Sequence, residues 1–440
     1  MLDINEYINL IRPLMKKRSV INETADHYPF GQAIDEALDE ILKIAAQLGF
    51  ETYKDSSGYY GYAQIGQGEL FGVLGHVDVV SEIAAGQWSH APFDVSLQDG
   101  ILYGRGIEDD KGPLVLTMLA LHDLLKQGYC LRRRVRFIIG CDEETLWRCM
   151  DKYTAEQEAP SLGFTPDGRF PLVNIEKTLY QLRISANKDI DFTFSGGNAI
   201  NQVAAQARTE FNPNLTAVME QLGLPYEIVD NEIIFHGKAA HVANSQTGIN
   251  AISYLATAMK HASYDSNLIT FIANHTLSPF GEQLLKPNKD ELSGPMNLNV
   301  GKSDFQNKLQ TIEIDMRLPI TLKREDIDNQ LADYAYKYNL RIEEIDYVKG
   351  LNVPQDSELV VKLLQAYQHV MKDDKKPLVS GGATYARAFA NMVAFGPNFK
   401  QTTAHEIDEH ISVEDVNKAY AIYQEAFKLL VCAENETKQL

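Results

Sequence analysis

The chain has 440 residues, 45% of them hydrophobic and 23% charged, a composition ordinary for a soluble globular protein of roughly two to three domains. Sixty acidic against 41 basic residues give a net charge of −19, which argues against nucleic acid or an anionic membrane as partner. Four cysteines without C-x-x-C pairing disfavour a disulfide framework or a thiolate zinc site and fit free thiols in a reducing cytosol.

The N-terminus lacks a basic stretch followed by an apolar one, so no signal peptide is expected, and no apolar run of about 18 residues predicts a membrane span. Apolar residues at helical spacing predict two opening helices, from Leu2 to Met15 and from Ile34 to Leu48, the second closed by Gly49. A strand is predicted at Tyr59–Ile65. The run Val73–Val80 reads as a buried strand carrying His76 and Asp78 on one face. Residues 86–104 predict a loop and hairpin, Pro113–Gln127 a helix, and Val135–Gly140 a strand ending at a short helix begun by Asp142-Glu143-Glu144. The cluster Arg132-Arg133-Arg134 with Arg136 reads as a solvated strand edge. Alternating strands and helices point to an α/β domain with covered sheet faces.

Near residue 177 the texture changes. Strands are predicted at Leu179–Ser185, Glu227–Phe235, Leu268–Ala273 and Thr311–Arg317, with helices at Asn250–Ser263 and Arg324–Tyr338. This is an α+β insert over 178–350, dividing one α/β domain into 1–177 and 351–440. The second part carries a helix at Leu359–Met371, strands at Pro377–Ser380 and Val393–Gly396, and a final helix from Val413 to Cys432.

Several acidic or imidazole features fall just beyond predicted strand ends, where open α/β sheets place their sites. They are His76 with Asp78, Asp109, Glu143-Glu144, Asp167 and His405. Each has an ordinary structural alternative: a core His–Asp pair, a helix cap at Asp109, a solvated helix start at Glu143-Glu144, a turn at Asp167, a surface histidine at 405. Together they form a mixed imidazole–carboxylate set. It suits zinc, manganese or cobalt, and is larger than one tetrahedral ion needs, so it matches two ions sharing a carboxylate. Adjacent Glu143 and Glu144 can diverge, one toward metal and one free as general base.

The segments Gly75-His76-Val77-Asp78, Gly104-Arg105-Gly106-Ile107-Glu108-Asp109-Asp110-Lys111-Gly112, Asp142-Glu143-Glu144, Thr165-Pro166-Asp167, Gly381-Gly382-Ala383-Thr384-Tyr385-Ala386-Arg387 and Ala404-His405 stand in an order that resembles a known family. This is the clan of dinuclear metallopeptidases that includes carnosinase, aminoacylase and succinyl-diaminopimelate desuccinylase, and the chain looks closest to bacterial PepV-type dipeptidases. The resemblance covers nearly the whole chain. It implies a zinc-peptidase-like catalytic domain with an inserted lid, and two divalent metals, zinc first, with manganese or cobalt as alternatives. Asp109 would bridge them, His76 and Asp167 completing one site and Glu144 and His405 the other. Glu143 would be the general base and Asp78 the orienter of His76. His241 would donate to the oxyanion, while Asn201, Arg317 and Gly382 would hold substrate, Arg317 as a fork for its carboxylate; the ordinary alternatives are a helix cap near Asn250 for His241 and a pair with Asp315 or a sheet-edge acid for Arg317. The pattern departs from the family at Thr145-Leu146, at Ala383 and at Val203-Ala204. The implied activity is hydrolysis of dipeptides, β-alanyl ones included, in a cytoplasmic monomer whose large lid stands in for a partner subunit. A deacylase or desuccinylase acting on N-acyl amino acids is the alternative, and a non-catalytic binding protein a second one.

Overall fold

The computed structural model describes residues 2–23, 27–82, 85–306, 308–400 and 402–433. It divides into two compact units: Met1–Asn174 with Val353–Leu378 and Thr384–Leu440, and Ile175–Asn352 with Val379–Ala383. Residues 379–383, expected with the catalytic segment, instead cluster with the insert.

The first unit is built on a mixed sheet. Its strands run in the order Glu51–Lys54, Tyr60–Ile65, Arg134–Gly140, Leu70–His76, Leu162–Thr165, Met392–Ala394 and Val173–Glu176. The four from Arg134–Gly140 to Met392–Ala394 are mutually parallel. Every residue of Leu70–His76 is buried, as expected of an interior parallel strand covered on both faces. The helix Lys111–Lys126 is apolar nearly all round and correspondingly buried. Phe71, Phe137 and Phe164 of three neighbouring strands meet Phe427 of the helix Val413–Leu430 at ring-centroid separations of 6.0–6.4 Å. That helix starts where the Ser412 hydroxyl accepts the Asp415 N–H at 3.0 Å, with Glu414 and Asp415 in its first turn.

Two expectations about this unit need correction. The strand through His76 ends there and does not run to Val80. Its neighbour stops at Gly140, opposite His76, so the ladder has no further partner. Val77 and Val79 bond instead to Gly140 and to Ser19. The helix expected at Asp142 begins only at Arg148. The Asp142 carboxylate takes the Arg148 N–H at 3.0 Å and its guanidinium at 2.8 and 3.0 Å, and these bonds hold residues 142–147 as a turn.

The second unit is an antiparallel eight-stranded sheet in the order Glu227–Val229, Glu232–His236, Gln206–Glu210, Phe194–Gly196, Asn297–Gln306, Leu309–Leu318, Thr178–Asn187 and Arg341–Val348. One face, with Leu182, Ile184, Ile312 and Ile314, packs on the helices Ala251–His261, Asn267–His275 and Arg324–Tyr338. The segment Leu268–Ala273, expected as a strand, lies inside the second of these helices. Ser266 caps it, its hydroxyl accepting the Ile269 N–H at 3.1 Å, and Leu268, Ile269, Phe271 and Ile272 form one buried helical stripe. Among the described residues no helix is long and apolar enough to cross a membrane.

Candidate metal centre

Register in the parallel sheet brings distant polar residues to one end. His76 closes its strand opposite Gly140, after which the chain turns through Asp142, Glu143 and Glu144. The next strand ends at Thr165, just before Asp167. Asp109 immediately precedes the buried helix Lys111–Lys126, and the Asp109–Asp110 peptide is cis. His405 lies on a loop that returns as the short strand His410–Ser412, paired antiparallel with Ile101–Tyr103.

His76, Asp109 and Asp167 form one group whose potential ligand atoms lie within 4.8 Å of one another, and Asp109, Glu144 and His405 form a second. Asp109 divides its oxygens between them. Its Oδ1 is 2.9 Å from His76 Nε2, and its Oδ2 is 3.2 Å from His405 Nε2. Asp167 Oδ2 is 3.9 Å from His76 Nε2, and the Glu144 oxygens are 3.1 and 3.2 Å from His405 Nε2. His76 is fully buried, whereas the His405 side chain is 53% exposed.

The electrostatics ask for positive charge. Four carboxylates, Asp109, Glu143, Glu144 and Asp167, crowd around two imidazoles. Burial pushes Asp167 well above the usual carboxylate range, and the Asp109 charge adds to it. Burial and the Asp109 charge likewise raise Glu144. Burial disfavours the imidazolium of His405, but hydrogen bonds to Asp109 and Glu144 outweigh it and push its pKa up to about 11. His76 is raised in the same way by Asp109 and Asp78. Burial also opposes the charge on Asp109, yet the hydrogen bonds from both histidines hold it far below the usual carboxylate range. The same groups fit a pair of divalent cations: two ligands about 2.1 Å from one ion lie roughly 3.0–3.4 Å apart at normal coordination angles, the spacing between each imidazole and Asp109. Hard carboxylates with imidazoles suit zinc, manganese or cobalt.

Glu143 stands apart. Among the described residues its carboxylate accepts no hydrogen bond, while its backbone carbonyl accepts the Trp147 indole N–H at 2.7 Å. Burial holds it well above its ordinary value; His76 opposes this, and Asp167, Glu144 and Asp109 add to it.

The orientation of His76 differs in detail from expectation. Its Nδ1 lies 2.9 Å from the backbone carbonyl of Asp78 and 3.5 Å from the carboxylate Oδ1. The shorter contact takes the Nδ1–H, so the main chain fixes the tautomer and leaves Nε2 facing Asp109. The Asp78 carboxylate accepts the Glu144 N–H at 3.0 Å, steadying the acidic turn instead.

The remaining expected residues lie in the inserted unit. Gln202 bridges to His241, and the Val242 N–H donates to the Asn201 carbonyl at 2.9 Å, so Asn201 and His241 sit on paired segments, both exposed. The Gly382 N–H donates to the Ser380 hydroxyl at 2.9 Å. Arg317 makes the pair with Asp315 that stands as the alternative to a substrate fork. It is 4% exposed, its Nε and Nη2 donate to both Asp315 oxygens at 2.8 and 2.9 Å, and Nη1 donates to the Gly381 carbonyl. The bidentate geometry that a substrate carboxylate would require is taken by Asp315.

Sequence reasoning missed Glu409 and quoted its partner Arg105 only as part of a motif; both are buried and 2.6 Å apart. The signal was Arg105 itself, a guanidinium between two glycines in an apolar neighbourhood, which requires a carboxylate from elsewhere. Tyr385 was quoted only as part of a motif. It is fully buried, its ring edge-on to His76 at 6.0 Å, and its hydroxyl accepts the Asp142 N–H at 3.4 Å.

The sequence pattern of peptidase family M20/M25/M40 matches residues 72–429. A Bacillus subtilis (strain 168) protein named "Putative dipeptidase YtjP" is 30% identical over 442 residues, covering 94% of each chain. Two solved structures share the fold. The M20 family metallo-carboxypeptidase Sso-CP2 from Sulfolobus solfataricus has a TM-score of 0.60 at 18% identity, covering 98% of this chain and 99% of that one. The di-peptidase Dug1p from Saccharomyces cerevisiae has a TM-score of 0.61 at 13% identity, covering 96% of each.

Proposed function

The chain belongs to peptidase family M20/M25/M40 and is a metallopeptidase, a hydrolase; from that premise we propose that it cleaves dipeptides at a centre of two divalent cations. His76 and Asp167 would hold one ion and Glu144 and His405 the other, with Asp109 between them. The observation that carries this reading is the division of the Asp109 carboxylate, Oδ1 toward His76 and Oδ2 toward His405. The dipeptide substrate follows the name of the full-length relative.

When bound, such cations polarise a carbonyl and acidify a water. The protein's own part is proton handling and orientation. Glu143, whose carboxylate accepts no hydrogen bond among the described residues and which stands beside the ligand cluster, accepts a proton from the attacking water. It then hands that proton to the leaving amine. The Asp78 carbonyl keeps the His76 Nε2 lone pair directed at the centre, and the Asp78 carboxylate, through the Glu144 N–H, keeps the two adjacent glutamates diverging. The roles of His241 in oxyanion stabilisation and of Asn201 and Gly382 in substrate binding are part of the same proposal and rest on the family resemblance. Arg317 takes a supporting role, holding the Gly381 carbonyl beside Gly382.

The test is a substrate panel on metal-stripped protein reconstituted separately with zinc, manganese and cobalt. Dipeptides, β-alanyl-histidine among them, are compared with N-acetyl and N-succinyl amino acids. The expected result is turnover of dipeptides only. Faster turnover of the acylated amino acids would replace the dipeptidase reading with a deacylase.

A further inference from the structure

The segments carrying Asp109 and His405 are far apart in sequence, yet each supplies a buried carboxylate to the other's backbone. Glu409, fully buried, accepts through Oε1 the N–H groups of Gly106, Glu108 and Asp109 at 3.0, 2.9 and 3.3 Å. Its Oε2 accepts Arg105 Nη1 at 2.6 Å, and Arg105 Nη2 donates to the Glu406 carbonyl at 3.1 Å. In the opposite direction Glu108, 3% exposed, accepts the N–H and the hydroxyl of Thr403 through Oε2, at 2.8 and 2.6 Å. Thr403 in turn holds the far side of its own loop. Its carbonyl accepts the Glu406 N–H at 3.0 Å, and its hydroxyl oxygen accepts the His410 N–H at 2.9 Å.

Packing alone does not call for this arrangement. A buried carboxylate is costly to desolvate, and apolar side chains of similar volume would fill the same space at least as well. What the pair supplies is direction. Asp109 follows Glu108 directly, and His405 lies between Thr403 and Glu406 at φ 66°, a backbone conformation that a non-glycine residue holds only when its surroundings impose it. Among the described residues none of these bonds involves His76 or Asp167.

We propose that Glu108 and Glu409 form a reciprocal brace that sets the approach of Asp109 to His405, and so the affinity of the Asp109–Glu144–His405 group for its cation. This rests on the reading of that group as a metal site. Both glutamates are positioning residues, acting through Asp109 and His405.

The test is a cobalt(II) titration of the metal-stripped full chain, followed by calorimetry and by the visible absorption of each bound equivalent. Glu108 is the residue to change, because among the described residues no cation pairs with it and its loss strands no buried charge. Wild type is expected to take two equivalents. Glu108→Ala is expected to weaken one of them about 10- to 100-fold and shift its absorption, with the other changed by less than about twofold. Glu108→Gln keeps a carbonyl oxygen for Thr403 and is expected to restore most of that affinity. Glu409→Gln, where it folds, weakens the same equivalent. Equal weakening of both equivalents in Glu108→Ala, or two unchanged equivalents, overturns the brace while leaving the two-cation reading intact. A wild-type chain that takes up fewer than two equivalents overturns both.

Discussion

Glu143 and Glu144 are neighbours with different surroundings. The Glu144 oxygens face the His405 imidazole at 3.1 and 3.2 Å, and its N–H is tied to Asp78, whereas the Glu143 carboxylate accepts no hydrogen bond among the described residues. If Glu143 is the base, Glu143→Gln removes proton transfer and leaves the ligand set intact. Turnover is expected to fall by about 10²- to 10⁴-fold. Metal content by atomic emission is expected to match wild type, and a variant that also loses metal would make Glu143 a ligand. The donor types were legible in the sequence, because His76, Asp109, Glu144, Asp167 and His405 are the residue kinds that mixed imidazole–carboxylate sites use. The partner of each was less so. His76 stands two residues from Asp78, and that spacing suggested a carboxylate orienter. The chain bends after His76 and brings the Asp78 main-chain carbonyl to 2.9 Å from Nδ1, with the carboxylate at 3.5 Å. Arg317 pairs with Asp315 for a reason the sequence did contain, since residues two apart on a strand share a face.

At the scale of elements, the ends of three adjacent parallel strands position the centre, and close packing at those ends leaves no room for a side chain at Gly75. A Cβ there would lie 2.2 Å from Asp110 Oδ2, which accepts the His76 N–H, and 3.0 and 3.1 Å from the two Leu114 methyls. Gly75→Ala is therefore expected to destabilise the protein by about 1–3 kcal/mol, as overpacking in a rigid core does. Urea unfolding followed by circular dichroism checks this, and an unchanged midpoint would mean that Asp110 moves aside without cost. Helices with a long apolar stripe and a capping residue were read closely, among them Glu358–Met371, capped by Ser357, and the helix opening at Ser412. The short apolar run Leu268–Ala273 was misread because over six residues a buried strand and a buried helix look alike in composition. The cap at Ser266, three residues before Ile269, was the deciding local signal. The strand Asn297–Gln306 was missed because its polar first half, Asn297-Leu298-Asn299, lies buried, its asparagines bonded to neighbouring side chains and carbonyls.

For the whole molecule, cation binding and stability are linked through the two histidines. Without metal, His405 is held up to about 11 and His76 is also raised, so both carry protons near neutral pH. A cation must displace those protons, so its affinity rises with pH. The His405 imidazolium also stabilises the metal-free fold. That contribution is fully present below the unfolded pKa of 6.5 and is lost as pH rises toward about 11. Both effects act in one direction. The melting-temperature difference between metal-loaded and chelated protein is expected to grow as pH rises above 6.5. At a free cation concentration of 100 times Kd the loaded form gains about 2.7 kcal/mol. Differential scanning calorimetry with and without chelator measures the difference, and one that shrinks with rising pH would mean the histidines do not bind the cation. The sequence by itself determined the α/β class, the apolar runs that become interior strands, and the inventory of imidazoles and carboxylates at strand ends. These follow from periodicity and residue chemistry, which are local. Only the tertiary structure decided that Asp109 faces two histidines at once, that Glu108 and Glu409 exchange places between two loops, and that 379–383 cluster with the insert. Those pairings join residues that are not neighbours in the chain, 33 positions apart for His76 and Asp109 and 295 for Glu108 and Thr403. They are selected by which buried donor meets which buried acceptor once the chain has closed on itself, and no local pattern records that choice.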